Sequence, residues 1–150
     1  MQIEIFIDGD ACPVKDETYK VALRHKVQVY VVANRFIRVP PTPRIQLITV
    51  DAGPDVADDY IAERAGSKSV VVTADILLAE RCLNQGAAVL APTGKPFTEE
   101  SIGSAVATRA LMDQLRGSGE MTGGAAPFQS QDRSRFLQVL HETLVRLQRS

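Results

Sequence analysis

Ile3-Glu4-Ile5-Phe6-Ile7-Asp8-Gly9-Asp10-Ala11-Cys12-Pro13-Val14 is the stretch from which the rest of the chain can be read. The apolar run from Ile3 to Ile7 predicts a buried strand, yet it ends on a carboxylate, a glycine that lets the backbone turn, and a second carboxylate. An acid is costly to desolvate unless it is hydrogen-bonded, paired or bound to a cation. Two of them at such a tip therefore point to a metal or phosphate-chemistry site. Asp10 taken alone fits equally well as the cap of a following helix, with Pro13 at a tolerated first-turn position.

Outward from that tip, strands alternate with helices. Val14 to about His25 reads as a helix with Val14, Thr18, Val21, Ala22 and Leu23 on its apolar face, followed by a strand over Val27 to Ala33. Pro40, Pro41 and Pro43 make the next segment extended connection, and Ile45 to Val50 is a third strand that stops on Asp51. Gly53-Pro54-Asp55 opens a helix to Ala65, closed by Gly66. Its core face is Val56, Ala57, Tyr60 and Ile61, with Asp55, Asp58 and Asp59 gathered opposite. Ser69 to Thr73 is a fourth strand, a helix runs from Asp75 to about Gln85, and Ala87 to Ala91 is a fifth strand. Thr98 caps a helix from Glu99 to about Arg116, the glycine-rich stretch 117–126 reads as a mobile loop, and a last helix starts at Ser130. Phe136, Leu137, Leu140, Leu144 and Leu147 keep helical spacing there, which gives that helix a packing role. The prediction is a single α/β domain over 1–150: a doubly wound, mostly parallel five-stranded sheet with helices on both faces, plus a C-terminal helix.

Composition narrows the function classes. The 150 residues, 45% hydrophobic and 23% charged, suit one domain with a full core. A net charge of −1 gives no bulk sign of nucleic-acid binding, so any such contact must be local. No signal-peptide pattern or bilayer-length apolar run is present, which predicts a cytoplasmic protein without membrane contact. Cys12 and Cys82 form neither a C-x-x-C pair nor a secreted framework, so reduced thiols are expected.

In doubly wound sheets ligands bind outside the carboxyl ends of the strands. Asp8, Asp51 and Asp75 all fall at such ends, with Asp10 just beyond the first and Asp55, Asp58 and Asp59 on the helix after the third. Carboxylates converging there would repel one another unless a cation sat among them, and Mg2+ or Mn2+ prefers such oxygen ligands. An ion held that way polarises a phosphoryl oxygen and activates water, so no serine or cysteine nucleophile is required. Asp8, Asp58 and Asp75 are the candidate metal ligands, with Asp10 as a further catalytic carboxylate. For Asp55 and Asp59 singly, solvated charges meeting a helix dipole are the better reading.

Other signals are weaker. Cys12 lacks an Arg or His at the spacing of a phosphatase loop or dyad and reads as a buried, inert thiol. His25 and His141 have no partner at i+3 or i+4 and read as structural or surface residues. Lys15, Arg35, Lys95, Arg133 and Arg135 are candidate phosphate or nucleic-acid contacts, set against ordinary solvated charge.

Phe6 to Lys15 (FIDGDACPVK), Val50 to Asp59 (VDAGPDVADD), Val71 to Ala79 (VVTADILLA) and Pro127 to Arg133 (PFQSQDR) resemble the YaiI/YqxD family of bacterial proteins, over essentially the whole chain. That family, of unassigned function, is similar to PIN-like nuclease domains. The resemblance implies a doubly wound sheet whose acids bind Mg2+ or Mn2+ and cleave RNA, or less often DNA. Position by position, the implied acids fall on Asp8, Asp58 and Asp75, while Asp10 belongs to the YaiI/YqxD motif itself. The fourth acid of the nuclease pattern has no counterpart after the last strand, where Ala91-Pro92-Thr93-Gly94 stands. The glycine-rich loop and the Pro127 to Arg133 segment also have none, which leaves a lid or partner-binding role open for them.

Three functions follow. The first is a metal-dependent phosphodiesterase acting on RNA. The second is a phosphatase of the haloacid-dehalogenase type, because Asp8-Gly9-Asp10 resembles its nucleophile and acid and Thr73 its second-motif hydroxyl. No convincing third-motif lysine supports it. The third is a non-catalytic module of the same fold that binds RNA, nucleotide or a protein partner. The sequence specifies no protein partner, and a homo-oligomer is compatible with it.

Overall fold

The computed structural model describes residues 2–117 and 128–149. Its strands are β1 (Glu4–Asp8), β2 (Gln28–Ala33), β3 (Ile45–Thr49), β4 (Ser69–Val72), β5 (Ala88–Leu90) and β6 (Pro96–Phe97), in the sheet order β3-β2-β1-β4-β5-β6. The five expected strands are all present and parallel. A sixth corrects the expected count: β6 pairs antiparallel with β5, Val89 opposite Phe97 and Leu90 opposite Pro96. Two residues, one of them proline, carry no periodicity from which a strand could be read.

The helices are α1 (Lys15–His25), α2 (Val56–Arg64), α3 (Ile76–Asn84), α4 (Glu99–Gly117) and α5 (Ser130–Gln148). Side chains alternate across each strand, which divides the core into two. Ile5, Ile7, Val29, Val31, Val70 and Val72 face α1 and α5, where Val21, Phe136, Leu140 and Leu144 meet them. Phe6, Val32, Val71 and Val89 face α2, α3 and α4, against Ile61, Leu78, Cys82 and Ile102. The strands lack polar alternation because both faces are covered. The packing role expected of the last helix holds, since Phe136, Leu140 and Leu144 are fully buried. One expected core position does not: Leu23 is 43% exposed, because α1 buries only the narrower stripe of Thr18, Tyr19, Val21 and Ala22. The loop expected over 117–126 lies, apart from Gly117 at the end of α4, outside the described residues.

Two glycines are required by close approach. A Cβ on Gly9 would come 2.8 Å from Val31 Cγ1 and 3.1 Å from the Val32 carbonyl, so the turn after β1 lies tight against β2. The reason for this glycine is therefore space rather than a left-handed turn. Gly94, at φ 88°, would bring a Cβ within 2.7 Å of the Phe136 nitrogen, which seats the turn between β5 and β6 on the α5 backbone. At the opposite edge of the sheet His25 Nε2 lies 2.9 Å from His141 Nδ1, tying α1 to α5, so of the structural and surface readings the contact selects the structural one. Cys12 and Cys82 are free and buried, with burial pushing their thiols up to about 11 and about 12.

Candidate functional site

The chain winds from β1 outward through β2 to β3, then crosses back to β4 and proceeds the other way to β5. The reversal lies between β1 and β4, where the loops leaving adjacent parallel strands diverge and open a crevice. Asp8 ends β1, and Thr73 and Asp75 follow β4, so both sides of that crevice carry a carboxylate. Because Asp8 shares the parity of Phe6, it points to the α2 side of the sheet.

Thr73, almost fully buried, joins the two sides. Its hydroxyl donates to Asp8 Oδ2 at 3.1 Å and accepts from the Asp75 backbone N–H at 3.0 Å. Asp75 Oδ1 accepts from the Leu77 and Leu78 amides at 2.9 and 3.2 Å, so this acid is the N-cap of α3. Asp58 stands in the first turn of α2, half-buried. The trio Asp55, Asp58 and Asp59, expected on one solvent-facing side, is divided. Asp55 is the exposed left-handed residue before α2, Asp59 pairs with Arg81 at 2.7 Å, and Asp58 turns towards the crevice.

The electrostatics show which acids act on one another. Burial raises the Asp58 carboxyl to about 6, helped by the negative charges of Asp75, Asp8 and Asp55 and opposed by Arg81. Asp8 is also raised, first by burial and then by Asp75 and Asp10, against the Thr73 hydrogen bond and Lys15. The negative charge of Asp75 thus raises both Asp8 and Asp58, and Asp8 in turn raises Asp58, so acids from three separate elements act on one another across one crevice.

Asp10 does something else. It lies within a single 3-10 turn (Gly9–Ala11), and α1 begins beyond it without a side-chain cap, so the capping alternative is not what the structure contains. Its Oδ2 accepts from the Asn34 backbone N–H at 3.1 Å, and its Oδ1 faces Arg35 Nε at 3.4 Å. That Oδ1 is buried and makes no hydrogen bond, because the guanidinium is near it but poorly aligned.

Of the candidate phosphate contacts, Lys15 acts on Asp8: its charge lowers that carboxyl while its Nζ donates to the Cys12 carbonyl at 2.9 Å. Arg35 is the ion-pair partner of Asp10. Arg133 donates to the Pro13 carbonyl at 2.7 Å and to Glu17 at 3.2 Å and lies over the Phe128 ring, so it docks the start of α5. Arg135 pairs with Asp132 one turn away, and Lys95 is exposed in the turn before β6.

Sequence reading missed an open apolar cleft of about 410 Å³ beside the acids, with Ala11, Pro13, Ala74, Ile76, Pro92 and Phe97 among its walls. Ala74 and Ile76 bracket Asp75, so cleft and acids share a wall. Small apolar residues scattered over three loops give no local signal. Its volume suits a small ligand body, for which clefts run to about 300–1,000 Å³.

As the side chains stand, no three His, Cys, Asp or Glu groups among the described residues converge tightly enough to share one ion. Asp75 is drawn onto the α3 amides and Asp8 onto Thr73. The donor set still fits Mg2+ or Mn2+ in the mode that uses one or two carboxylates and fills the shell with water and substrate phosphate. Mutual repulsion among Asp8, Asp58 and Asp75 and the unsatisfied Asp10 Oδ1 are the features a cation would relieve.

Comparison with known proteins places this arrangement. Residues 6–146 match the model of the "Uncharacterized BCR, YaiI/YqxD family". A UPF0178 protein of Nitrobacter winogradskyi is 57% identical over 148 residues, 99% of this chain and 94% of that one. Its namesake in Caulobacter vibrioides is 56% identical over 150 residues, 100% of this chain and 98% of that one. UPF0178 protein bll3966 of Bradyrhizobium diazoefficiens is 60% identical over 145 residues, 97% of this chain and 87% of that one. No solved structure matches. At such identity over nearly the full length of both chains, this protein belongs to the uncharacterised bacterial YaiI/YqxD family, the group whose members carry the name UPF0178.

Proposed function

We propose that the protein is a metal-dependent phosphodiesterase of PIN-like type that hydrolyses RNA at the crevice between β1 and β4. The observation that carries this reading is the convergence of Asp8, Asp58 and Asp75, from a strand end, a helical first turn and a helix cap, close enough that Asp75 raises the carboxyls of both Asp8 and Asp58. Structural acids are ordinarily spread apart or paired with cations, whereas these are gathered where doubly wound sheets bind ligands. In this reading they hold Mg2+ or Mn2+, with Asp10 assisting. When bound, such an ion supplies charge stabilisation at the phosphoryl oxygens and lowers the pKa of water.

The chain's own residues supply the rest. The Thr73 hydroxyl fixes the orientation of Asp8, and the α3 amides fix that of Asp75. Without the ion Asp58 is raised to about 6, so it must give up its proton before it can join the metal shell, and ion binding strengthens as pH rises through that value. Lys15 adds positive charge beside Asp8, and the apolar cleft gives the adjoining nucleoside a dry wall. The test is cleavage of a panel of RNAs with and without divalent ions. Asp8→Asn is expected to lower the divalent-dependent rate at least about 10-fold, the low end of what loss of even an outer-shell partner of a metal costs. An unchanged rate in a clean preparation would sink the assignment.

One contact favours a second reading. The Thr73 hydroxyl on Asp8 is what a haloacid-dehalogenase-type phosphatase would place beside its nucleophile. That enzyme would form a phosphoaspartate on Asp8, and beryllofluoride would trap its mimic. Failure to trap, together with RNA turnover, selects the nuclease. Absence of both selects a non-catalytic module.

A further inference from the structure

We propose that the loop after β2 is a stacking platform for single-stranded nucleic acid, with Phe36 taking an unpaired base and Arg35 and Arg38 flanking it. This rests on the reading of the crevice as a nucleic-acid site. Phe36 is 80% exposed, the most exposed large apolar side chain among the described residues and the only aromatic among those exposed. A lone exposed apolar residue needs no explanation, but the way this one is held does.

Its neighbours are anchored on both sides. Asn34 and Arg35 are tied to Asp10, by an N–H bond at 3.1 Å and an ion pair at 3.4 Å. Ile37 and Val39 pack into the core, and the Ile37 Cδ1 lies 3.3 Å from where a Gly9 Cβ would stand. The ring is therefore held out by a pinned backbone, although Ile37 and Val39 show that this loop can bury side chains. Arg38 is exposed beside it, and Arg35, although ion-paired with Asp10, keeps its side chain 64% exposed, so both guanidiniums are accessible to a phosphate next to the ring. An aromatic face between cations suits bases and phosphates of an unpaired strand, since every base offers a π-face.

Position supplies the continuity. β2 pairs directly with β1, Val32 opposite Asp8, so the loop begins about one strand spacing, ~4.8 Å, from the acid tip. Asp10 is the tether between platform and crevice. A strand crossing the carboxyl edge of the sheet would rest one base on Phe36 and bring a neighbouring phosphate to Asp8. The stack does not read the sugar, so single-stranded RNA and DNA should both bind.

The chain contains no tryptophan, so Phe36→Trp places its only indole on the platform. With EDTA present to prevent turnover, titrating that variant with a short single-stranded oligonucleotide, RNA or DNA, should quench its emission, while the same sequence as a duplex should not. Phe36→Ala should weaken binding of a labelled strand at least about fivefold, because a stacked base is worth about 1–3 kcal/mol and 1.4 kcal/mol is tenfold. Its melting temperature should stay unchanged, because the ring is not part of the core. No binding by the wild type, no quenching, equal response to duplex, or a Phe36→Ala affinity like that of the wild type would each overturn the platform. So would a change of oligomeric state in Phe36→Ala with nucleic-acid binding intact, which would make the ring a contact between copies. Failure of the nuclease reading looks different: no divalent-dependent cleavage, with binding still lost in Phe36→Ala.

Discussion

Asp58 is the residue at which the cost of gathering acids is most open to measurement. Its carboxyl is raised from an ordinary value near 3.8 to about 6 by burial and by Asp75 and Asp8. The native state thus holds a proton that the unfolded chain has released between about pH 4 and pH 6, and stability falls as pH rises through that window. Asp8, shifted in the same direction, adds to the fall. A shift of that size corresponds to about 3 kcal/mol, which screening at a half-buried carboxylate reduces to roughly 1 kcal/mol. Asp58→Asn is therefore expected to raise the melting temperature by about 2–4 °C at pH 7.5 in EDTA, and by nothing at pH 4, where the wild-type group is already neutral in the fold. A variant less stable than the wild type at pH 7.5 would show that Asp58 is held by favourable bonds instead. The Asp59 to Arg81 pair is a contrast at the same helix: short at 2.7 Å but exposed, it contributes little.

Among the elements, α3 carries two duties on one residue. Asp75 caps it through the Leu77 and Leu78 amides and also faces Asp58 and Asp8. The duties separate by substitution, because Asn caps about as well as Asp whereas Ala does not. Asp75→Ala should cost about 1 kcal/mol of stability, read in urea unfolding, while Asp75→Asn should stay within a few tenths of the wild type. Both should lose divalent-dependent cleavage. Retained cleavage in Asp75→Asn would leave this acid a cap only. At the other side of the sheet, α5 depends on fully buried Phe136, and Phe136→Ala is expected to cost about 3–5 kcal/mol. A loss under 1 kcal/mol by urea unfolding would contradict the two-core packing.

For the whole molecule, the test is whether a divalent ion stabilises the fold. An ion that relieves repulsion among Asp8, Asp58 and Asp75 binds the native state alone, and at ten times its Kd it adds about 1.4 kcal/mol. At this chain length that is a rise of about 3–6 °C in melting temperature with Mg2+ or Mn2+ at pH 7.5. The rise should shrink at pH 5, where Asp58 is protonated, and vanish in Asp8→Asn. A rise that persists in Asp8→Asn would place the ion elsewhere. The parallel strands were legible in the sequence by itself, because unbroken Val and Ile runs suit a sheet covered on both faces, and so were the acids at strand ends, because Asp8 and Asp75 adjoin those runs. The last helix was equally legible in the spacing of Phe136, Leu140 and Leu144. The sequence also singles Asp58 out of the α2 acids, but the partners that separate the three, Arg81 for Asp59 and the charges of Asp75 and Asp8 for Asp58, come from packing. Only the tertiary structure made Asp10 a tether for Arg35, paired His25 with His141 across 116 residues, and added β6. Propensity and periodicity act over a few neighbouring residues. These partners lie far apart in the sequence, and the relation between them exists only once the sheet is wound.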